Sequence, residues 1–595
     1  MKECVVRLLR LPYTHFMTRV HTSTAPPPAP RLNVADRLST TARRTPNAIA
    51  IACPPRSSPN YRTSRRGDSG APYATITFDE LDADATRIAR GLVAWGVPPG
   101  TRLALLVRPG IEFVTLVFAL LRAGMVIVLV DPSLGRRNLI RCLQEAQPEG
   151  FIAIGVTQAA RLFLRHKFPQ ARWNVTLGRR WFWGGLTLDE LRTRGDALPI
   201  PRSPLPTARA DDPAAIIFTS GSTGPPKGVL YTHRMFDTQV TQIQSTYGIH
   251  PGAIDLACFP LFALFNSAMG VTTVMAEMDF SRPASADPRK LLAAANDWQV
   301  TQAFASPAVW RVVSEHCEQT GARIASLRQV FSCGAPVPAD VLRRTLACVA
   351  KDAKMQTPYG ATECLPVATI EAAEVLAETA QRSDEGAGVC VGRKFDSIDW
   401  RIIRITDEPI GSIDDADELP IGEIGELIVR GPQASPIYIT RTEANAIAKI
   451  ADANDYWHRM GDIGYFDEEG RFWYCGRKSQ RVETPEGLLF TECVEAVFNT
   501  HCSVLQSALV GIGVRGQQVP ALVVQMSPTA SGNNWQQELQ QRAQSYDHTR
   551  GIHHFLAHPR LPVDVRHNAK IDREQLAAWA AKQLGNLQQP PVPRR

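Results

Sequence analysis

The chain has 595 residues, 44% of them hydrophobic and 21% charged, a composition that suits a globular protein of roughly two to four domains. Its 65 basic and 58 acidic residues nearly cancel to a net charge of +7 and form no long run of one sign, so nothing indicates nucleic-acid binding. The 12 cysteines are scattered singly, which excludes metal-thiolate clusters and CxxC redox motifs and favours a reducing, cytoplasmic location.

Residues 1–31 differ from the rest of the chain. They are basic and end in the proline-rich stretch Ala25–Pro30, without the apolar run that a secretory signal needs. We expect a disordered or mis-started leader here. Further on, Arg122 and Gly124 interrupt the apolar stretch Phe113–Val130, which therefore predicts a buried helix and a buried strand and no integral membrane segment.

Helices and short apolar strands alternate from residue 32 to about residue 375. Thr77 opens a helix whose apolar residues recur at helical spacing up to Gly96, and Glu112–Arg122 predicts another helix. Leu103–Val107 and Val126–Val130 have the composition of buried strands. This alternation is typical of an α/β fold with helix-covered, mostly parallel sheets.

The composition changes twice beyond that point. β-rich segments such as Ile398–Ile405 follow residue 389, and from residue 478 short strands mix with helices such as Asp572–Leu584. We therefore expect a large N-terminal domain over residues 32–477, with a β-rich subdomain at about 389–475. A small α+β C-terminal lid is expected over residues 478–595.

A glycine- and hydroxyl-rich loop carries the clearest chemistry. The buried strand Ala214–Phe218 runs directly into Thr219–Gly228 (TSGSTGPPKG). Glycines allow backbone N–H groups to converge on one anion, the hydroxyls add donors, and a lysine adds positive charge. The Walker pattern GxxxxGK[ST] is absent, so this is a phosphate loop of another kind. Its candidate ligands are Thr219, Ser220, Gly221, Ser222, Thr223, Gly224 and Lys227.

This loop resembles the phosphate loop of the adenylate-forming superfamily, which includes acyl-CoA ligases, peptide-synthetase adenylation domains and luciferases. Four further motifs occur in the superfamily's order: Ser332–Pro336 (SCGAP), Tyr359–Glu363 (YGATE), Met460–Asp462 (MGD) and Gly476-Arg477. The resemblance covers about residues 35–585. It implies an AMP-binding domain with a mobile lid, and an enzyme that uses ATP and Mg²⁺ to convert a carboxylate into an acyl-adenylate.

Two of these motifs surround the adenine in the superfamily. The resemblance implies that the Tyr359 ring, beside Gly360, stacks on the base, for which an aromatic face is suitable. The loop containing Gly334, Ala335 and Pro336 would flank the adenine and the acyl chain.

The remaining motifs imply contacts with the phosphates and the sugar. Thr362 would contact the α-phosphate, and Glu363 would hold Mg²⁺, because this ion prefers hard carboxylates shared with phosphates. Asp462 and Arg477 would bind the ribose hydroxyls.

Near the C-terminus, Pro562–Ile571 (PVDVRHNAKI) resembles the superfamily's terminal motif. Its lysine, here Lys570, would cross from the lid to bridge the substrate carboxylate and the phosphate while charge builds on the phosphoryl oxygens. Lys570 therefore joins Glu363 and Thr362 as the expected catalytic residues.

The segment after Arg477 departs from the coenzyme A ligases of the superfamily. Ser479-Gln480 replaces their usual acidic pair, which favours a lid that does not need to present a thiol. Drift in a surface hairpin is the alternative explanation. The whole chain resembles the β-lactone synthetases of bacterial long-chain olefin biosynthesis, with matching stretches at Phe259–Phe265 (FPLFALF), Thr357–Val367 (TPYGATECLPV) and Pro562–Ile571.

That resemblance implies a 2-alkyl-3-hydroxy fatty acid as the substrate. Its own 3-hydroxyl would attack the activated carbonyl, expel AMP and close a β-lactone, because a tethered nucleophile needs no second substrate. The resemblance also implies assembly with the thiolase, reductase and β-lactone decarboxylase of the olefin pathway. A long-chain substrate leaves peripheral membrane association open. Asp564 and His567 would either orient the lid or assist removal of the hydroxyl proton.

The apolar run Cys258–Phe265 and the separate stretch Leu365–Val367 supply candidates for the alkyl pocket, with ordinary core packing as the alternative for each. They are Phe259, Phe262, Ala263, Phe265 and Leu365. Two other functions stay open: ligation of a long-chain fatty acid to coenzyme A or an acyl carrier on the same fold, and a non-catalytic nucleotide-binding regulator. The charged motif residues together argue against the regulator.

Overall fold

The computed structural model describes residues 29–56, 61–198, 205–219, 224–528, 534–563 and 571–587. Several predicted features lie outside the described residues: the leader up to residue 28, the loop residues Ser220, Gly221, Ser222 and Thr223, and Lys570 with Asp564 and His567.

The strands form three large sheets, a short ribbon and a small sheet near the C-terminus. In chain order they are β1 Ile49–Cys53, β2 Thr63–Arg65, β3 Pro72–Thr77, β4 Arg102–Leu106, β5 Val126–Leu129, β6 Gly150–Ile154, β7 Trp173–Leu177, β8 Leu186–Thr187, β9 Pro213–Phe218, β10 Gly228–Thr232, β11 Ile254–Ala257, β12 Thr272–Val274, β13 Gln302–Ala305, β14 Gln329–Ser332, β15 Lys354–Gln356, β16 Tyr359–Ala361, β17 Cys364–Thr369, β18 Val389–Lys394, β19 Asp399–Ile403, β20 Gly425–Arg430, β21 Lys449–Asp452, β22 Asp455–Phe466, β23 Phe472–Arg477, β24 Val482–Thr484, β25 Gly487–Leu489, β26 Val504–Ile512, β27 Val519–Met526 and β28 His554–Ala557.

The helices cover the first two sheets and the small C-terminal sheet. They are α1 Asp36–Arg44, α2 Phe78–Trp95, α3 Ile111–Arg122, α4 Gly135–Ala146, α5 Gly155–Phe163, α6 Leu188–Ala197, α7 His233–Tyr247, α8 Phe262–Met269, α9 Pro288–Asp297, α10 Pro307–Thr320, α11 Ala339–Ala347, α12 Ala372–Glu374, α13 Ala380–Asp384, α14 Ala444–Ala448, α15 Thr491–Asn499, α16 Trp535–Ala543 and α17 Arg573–Leu587. Among the described residues, no helix combines the length and the apolar character that crossing a membrane requires.

The first two sheets are mostly parallel, which confirms the predicted α/β class. The first has the order β15-β14-β13-β11-β12-β1-β3-β2, and only β3 and β2 run antiparallel to their neighbours. The second has the order β10-β9-β5-β4-β6-β7-β8, with only β10 antiparallel. The loops that follow the parallel strands therefore lie together at the carboxyl edge of each sheet, where α/β proteins bind ligands.

Two predicted helices show why the chain folds in this way. At the start of α2, Thr77 Oγ1 accepts from Glu80 N and the Glu80 carboxylate accepts from Thr77 N, a capping box, and the helix ends at Gly96 with φ 84°. Helix α3 is apolar on all sides and buried along nearly its whole length, because it packs between β1 of the first sheet and β5 of the second. The apolar stretch Phe113–Val130 is thus a core helix followed by a core strand.

The third sheet is antiparallel, in the order β16-β17-β18-β23-β22-β20-β19, with β21 paired to β22. It begins with β16 at Tyr359, well before the predicted start near residue 389, because two strands of the YGATE hairpin join it.

The C-terminal part has its own cores. It contains the β24-β25 ribbon and the sheet β26-β27-β28, with α15, α16 and α17 packed against that sheet. Residues such as Val494, Phe498 and Leu522 are fully buried within it. A short 3₁₀ turn, Lys478–Gln480, separates it from β23.

Candidate active site

A β-hairpin holds the base of the phosphate loop. β9 and β10 pair with Phe218 opposite Gly228, so the loop leaves and re-enters the sheet at one point. Thr219 N donates to Lys227 O and Lys227 N donates to Thr219 Oγ1, both at 3.0 Å. Gly224, with φ 141°, is exposed and does not line the cavity described below.

Tyr438 links two residues that the sequence assigned to separate motifs. Lys227 Nζ lies 4.4 Å from the centroid of the Tyr438 ring, and Tyr438 Oη donates to Glu363 Oε1 at 2.7 Å. Burial lowers the pKa of Lys227, and the Glu363 carboxylate opposes that shift. Burial and the same carboxylate raise the pKa of Tyr438, so its hydroxyl stays a proton donor. Sequence analysis missed Tyr438, which lies outside every motif.

Thr362 and Glu363 form the tight turn between β16 and β17. Tyr231 Oη donates to Thr362 O at 2.7 Å, and Ser435 N donates to Glu363 O at 2.7 Å. The backbone of this turn is therefore fixed from two sides. Tyr231 is buried on β10, the strand that follows the predicted phosphate loop, so this strand and the turn are held together.

Tyr359, Asp462 and Arg477 come together on the third sheet. Asp462 and Arg477 are cross-strand partners on β22 and β23, with Arg477 Nη1 2.9 Å from Asp462 Oδ1. Tyr359 Oη donates to Asp462 Oδ2. The Asp462 side chain is 2% exposed, and this buried carboxylate holds the pKa of Arg477 above its usual value. An aromatic ring, a carboxylate and a guanidinium thus meet where the motifs predict a nucleoside.

The loop after β14 approaches the same place. Strand β14 ends at Ser332, and Gly334 turns the chain with φ 99°, a conformation that favours glycine. Gly334, Ala335 and Pro336 line the same cavity as Tyr359.

One cavity of about 1320 Å³ connects these groups with a large apolar chamber. Its polar side, which holds the predicted nucleotide-binding residues, is lined by Thr219, Lys227, Gly360, Thr362, Glu363, Asp462 and Arg477. Its apolar side is lined by residues of α3 and α7, among them Phe113, Val117, Phe236, Val240 and Ile243. Their spacing of three, four and seven positions places each set on one helix face.

Most of the predicted alkyl-pocket residues line that chamber. Phe259, Phe262, Phe265 and Leu365 do so, and the Phe262 ring stacks on Phe304 with 3.5 Å between centroids. The structure places Ala263 elsewhere: it is 0% exposed and is not part of the lining. On a short helix, successive residues point in different directions, so a continuous apolar run cannot all face one pocket.

A buried carboxyl also lies on the cavity wall. Asp255 on β11 accepts hydrogen bonds from Asn266 Nδ2 at 2.8 Å and from Gln302 Nε2 at 3.3 Å. Burial raises the pKa of Asp255 to about 7, although both amides oppose the shift. Asp255 and its two amide partners therefore form a polar cluster without a positive charge at the cavity wall.

Residues of the C-terminal part also line the cavity. Ile571 and Arg573, the first and third residues after Lys570, line it together with Glu492 at the start of α15. Arg573 Nη2 donates to Glu495 Oε2 at 3.1 Å, and its Nε donates to Gln480 Oε1 at 3.3 Å. Burial and Glu495 raise the pKa of Glu492, and Arg573 opposes the shift. Sequence analysis missed this cluster, although Arg573 is the second residue after the PVDVRHNAKI motif.

Comparison with known proteins places the chain in a family. The family model described as "AMP-binding enzyme" matches residues 38–439. An olefin beta-lactone synthetase of Stenotrophomonas maltophilia is 46% identical over 559 residues, covering 93% of this chain and 98% of that protein.

Two solved structures share the fold at low identity. The amide bond synthetase McbA from Marinactinospora thermotolerans superposes with a TM-score of 0.73 and 20% identity, covering 92% of this chain and 99% of that one. The o-succinylbenzoate coenzyme A synthetase MenE from Bacillus subtilis, in complex with ATP and magnesium ion, gives a TM-score of 0.68 and 21% identity, covering 91% and 98%. With a family model that matches more than half of its length and a relative of this identity, the chain belongs to the AMP-binding enzyme family.

Proposed function

We propose that this enzyme activates a 2-alkyl-3-hydroxy fatty acid with ATP and then closes it to a β-lactone. The observation that carries the proposal is the single cavity, in which an apolar chamber opens directly onto the predicted nucleotide groups. An enzyme for a doubly alkylated acid needs such a chamber beside the phosphates. The 46% identity to an olefin beta-lactone synthetase supports the second step.

The first step makes an acyl-adenylate. A carboxylate oxygen of the substrate attacks the α-phosphorus of ATP, the bond to the β-phosphate oxygen breaks, and pyrophosphate leaves. We assign Thr219, Ser220, Gly221, Ser222, Thr223, Gly224 and Lys227 to the β- and γ-phosphates and Thr362 to the α-phosphate. Lys570 bridges the carboxylate and the α-phosphate, where it stabilises the charge that develops on the phosphoryl oxygens.

The nucleoside is held on the third sheet. The Tyr359 ring stacks on the adenine, with Gly360, Gly334, Ala335 and Pro336 around it. Asp462 accepts from the ribose hydroxyls, and Arg477, already 2.9 Å from Asp462 Oδ1, adds donors to them. Their pairing before ATP binds means that little reorganisation is needed.

The Glu363 carboxylate suits a magnesium ion that is shared with ATP phosphates. Among the described residues no group of three carboxylates, histidines or cysteines could hold a metal by itself. Mg²⁺ is commonly bound by one or two carboxylates together with substrate phosphates and water, which a single glutamate beside the phosphate loop matches. When bound, Mg²⁺ would neutralise phosphate charge. Tyr438, by donating to Oε1, fixes the orientation of the Glu363 carboxylate.

The second step needs no further substrate. The 3-hydroxyl oxygen attacks the acyl carbonyl carbon, the bond to the AMP oxygen breaks, and the proton passes to the leaving phosphate. The product is a four-membered lactone, and expulsion of AMP from a mixed anhydride offsets its ring strain. Phe259, Phe262, Phe265 and Leu365 surround the alkyl chains in this proposal.

The wider organisation is also proposed. Residues 32–477 form the AMP-binding domain, in which the antiparallel sheet is the subdomain, and residues 478–595 form the lid. Assembly with the thiolase, reductase and β-lactone decarboxylase of the olefin pathway, and a cytoplasmic location, complete the proposal.

One incubation separates β-lactone formation from ligation to coenzyme A. The enzyme is supplied with ATP, Mg²⁺ and a synthetic 2-alkyl-3-hydroxy acid, with and without coenzyme A, and the products are identified by mass spectrometry. We expect a β-lactone, AMP and pyrophosphate in equal amounts whether or not coenzyme A is present. Turnover that requires coenzyme A and yields a thioester would instead identify a fatty-acyl-CoA ligase.

A further inference from the structure

A group of apolar side chains lies exposed at one edge of the second sheet. On α5, Val156 is 72% and Phe163 is 79% exposed, and Ala160 between them is exposed as well. In the loop after β7, Trp181 is 65% and Phe182 is 68% exposed. We call these five residues the aromatic platform. Isolated exposed hydrophobic residues are common on protein surfaces, but a cluster with three aromatic or large members marks an interaction site.

The two parts of the platform lie at the same edge of the sheet. β6 and β7 pair in parallel, so α5 and the loop that follows β7 leave the sheet at the same edge. Trp183 anchors the loop: its ring is buried, its Nε1 donates to Thr176 Oγ1 at 2.9 Å, and its carbonyl accepts from Arg161 Nη2 of α5 at 3.2 Å. Val156, Ala160 and Phe163 follow a spacing of four and three residues, which places them on one helix face.

The loop itself is ordered rather than loose. The Trp181 ring stacks on the Trp183 ring with 6.1 Å between centroids and 18° between planes. Arg180 Nη1 donates to Glu190 Oε2 at 2.8 Å. The exposed aromatic residues are therefore presented by a braced loop, and their exposure follows from the fold.

The chain segment that carries the platform is basic. From Gly150 to Leu188 the sequence contains six arginines and lysines and no aspartate or glutamate. Arg165 and Arg179, next to the platform residues in the chain, are exposed, and neither forms an ion pair among the described residues. Exposed aromatic residues bordered by cations complement a surface that is apolar inside and anionic outside.

The apolar cavity reaches the protein surface close by. Ile154 and Thr157, which flank Val156, line the cavity, and so do the exposed residues Arg108 and Pro132. These positions follow β4, β5 and β6 at the same sheet edge. A lipophilic acid that enters there would pass beside the platform.

We propose that the aromatic platform docks the enzyme on an anionic lipid bilayer. Trp181, Phe182 and Phe163 insert at the boundary between headgroups and acyl chains, where the amphipathic tryptophan ring is favoured. Arg165 and Arg179 contact the lipid phosphates. Docking places the cavity opening at the membrane surface, from which a long-chain acid can be taken up without crossing water.

Vesicle co-sedimentation tests the proposal and needs no turnover, so its outcome does not depend on the proposed reaction. The full-length enzyme is mixed with phosphatidylcholine vesicles containing or lacking 30% phosphatidylglycerol, at low and high salt. We expect binding to the anionic vesicles that weakens with salt. The apparent affinity for anionic vesicles should fall about tenfold or more in the double variant Trp181→Ser/Phe182→Ser and about fivefold in Arg179→Gln.

A matched control carries the same kind of change elsewhere. Ile421 is 65% exposed in the loop before β20, and Ile421→Ser should bind vesicles like the wild type. If the double variant fails to fold, as judged by its thermal unfolding, Phe163→Ser on α5 replaces it. Equal binding of wild type and platform variants would overturn the proposal. So would absence of wild-type binding together with a change of oligomeric state in the variants, which would make the platform a protein interface.

Discussion

Removing the Tyr438 hydroxyl tests whether its hydrogen bond orients the Glu363 carboxylate for catalysis. Tyr438→Phe removes only the donor to Glu363 Oε1 and keeps the ring, which is 3% exposed and lies 4.4 Å from Lys227 Nζ. A hydrogen bond to a charged group contributes about 1.5–3 kcal/mol. If that energy orients Glu363 in the transition state, pyrophosphate release should slow by about 10- to 100-fold.

The assay measures pyrophosphate release over a range of Mg²⁺ concentrations. We expect Tyr438→Phe to need more Mg²⁺ for half-maximal rate, because an unfixed carboxylate binds the ion less well. Tyr456→Phe is the matched control, since Tyr456 Oη donates to Ala434 O at 2.8 Å and Lys449 Nζ lies 5.0 Å from its ring. A wild-type rate and Mg²⁺ dependence in Tyr438→Phe would refute the orienting role of Tyr438.

Three further predictions concern the nucleotide site and the cavity wall. Lys570→Ala should lower the rate of pyrophosphate release at least about 100-fold with unchanged thermal unfolding, and an unchanged rate would remove Lys570 from the mechanism. Asp462→Asn should raise the KM for ATP about tenfold or more and reduce the rise in Tm on adding ATP, because the ribose hydroxyls lose a charged acceptor and Arg477 loses its anionic partner. Asp255, whose pKa is raised to about 7, should make folding less favourable as pH rises from about 4 to 7, by about 4 kcal/mol at most. Asp255→Asn should therefore raise Tm more at pH 8 than at pH 5, and an equal shift at both would contradict the raised pKa.

The sequence predicted the fold well wherever local chemistry decides the structure. The Thr77 capping box and Gly96 set the ends of α2, and the largely apolar stretch after Gly110 forms the helix between the sheets. The motif residues are far apart in the chain, yet Tyr359, Asp462 and Arg477 meet as the motif order predicts.

The contacts that support those residues could not be predicted in the same way. Tyr438 and Tyr231 reach Glu363 and Thr362 only because the β10 hairpin and the segment around residue 438 pack together in three dimensions, and neither belongs to a motif. Ala263 was predicted to line the alkyl pocket and does not, since an apolar run does not reveal which of its members faces a cavity. The aromatic platform was likewise missed, because exposure of Trp181 and Phe182 depends on tertiary packing.

The most direct test of the central claim follows oxygen atoms through the reaction. A 2-alkyl-3-hydroxy acid with oxygen-18 in the 3-hydroxyl is turned over with ATP and Mg²⁺, and the lactone and AMP are analysed by mass spectrometry. Attack of the hydroxyl on an acyl-adenylate predicts that the label stays in the lactone ring and that AMP is unlabelled. Label in AMP would show that the hydroxyl, rather than the carboxylate, had been activated, and would contradict the account.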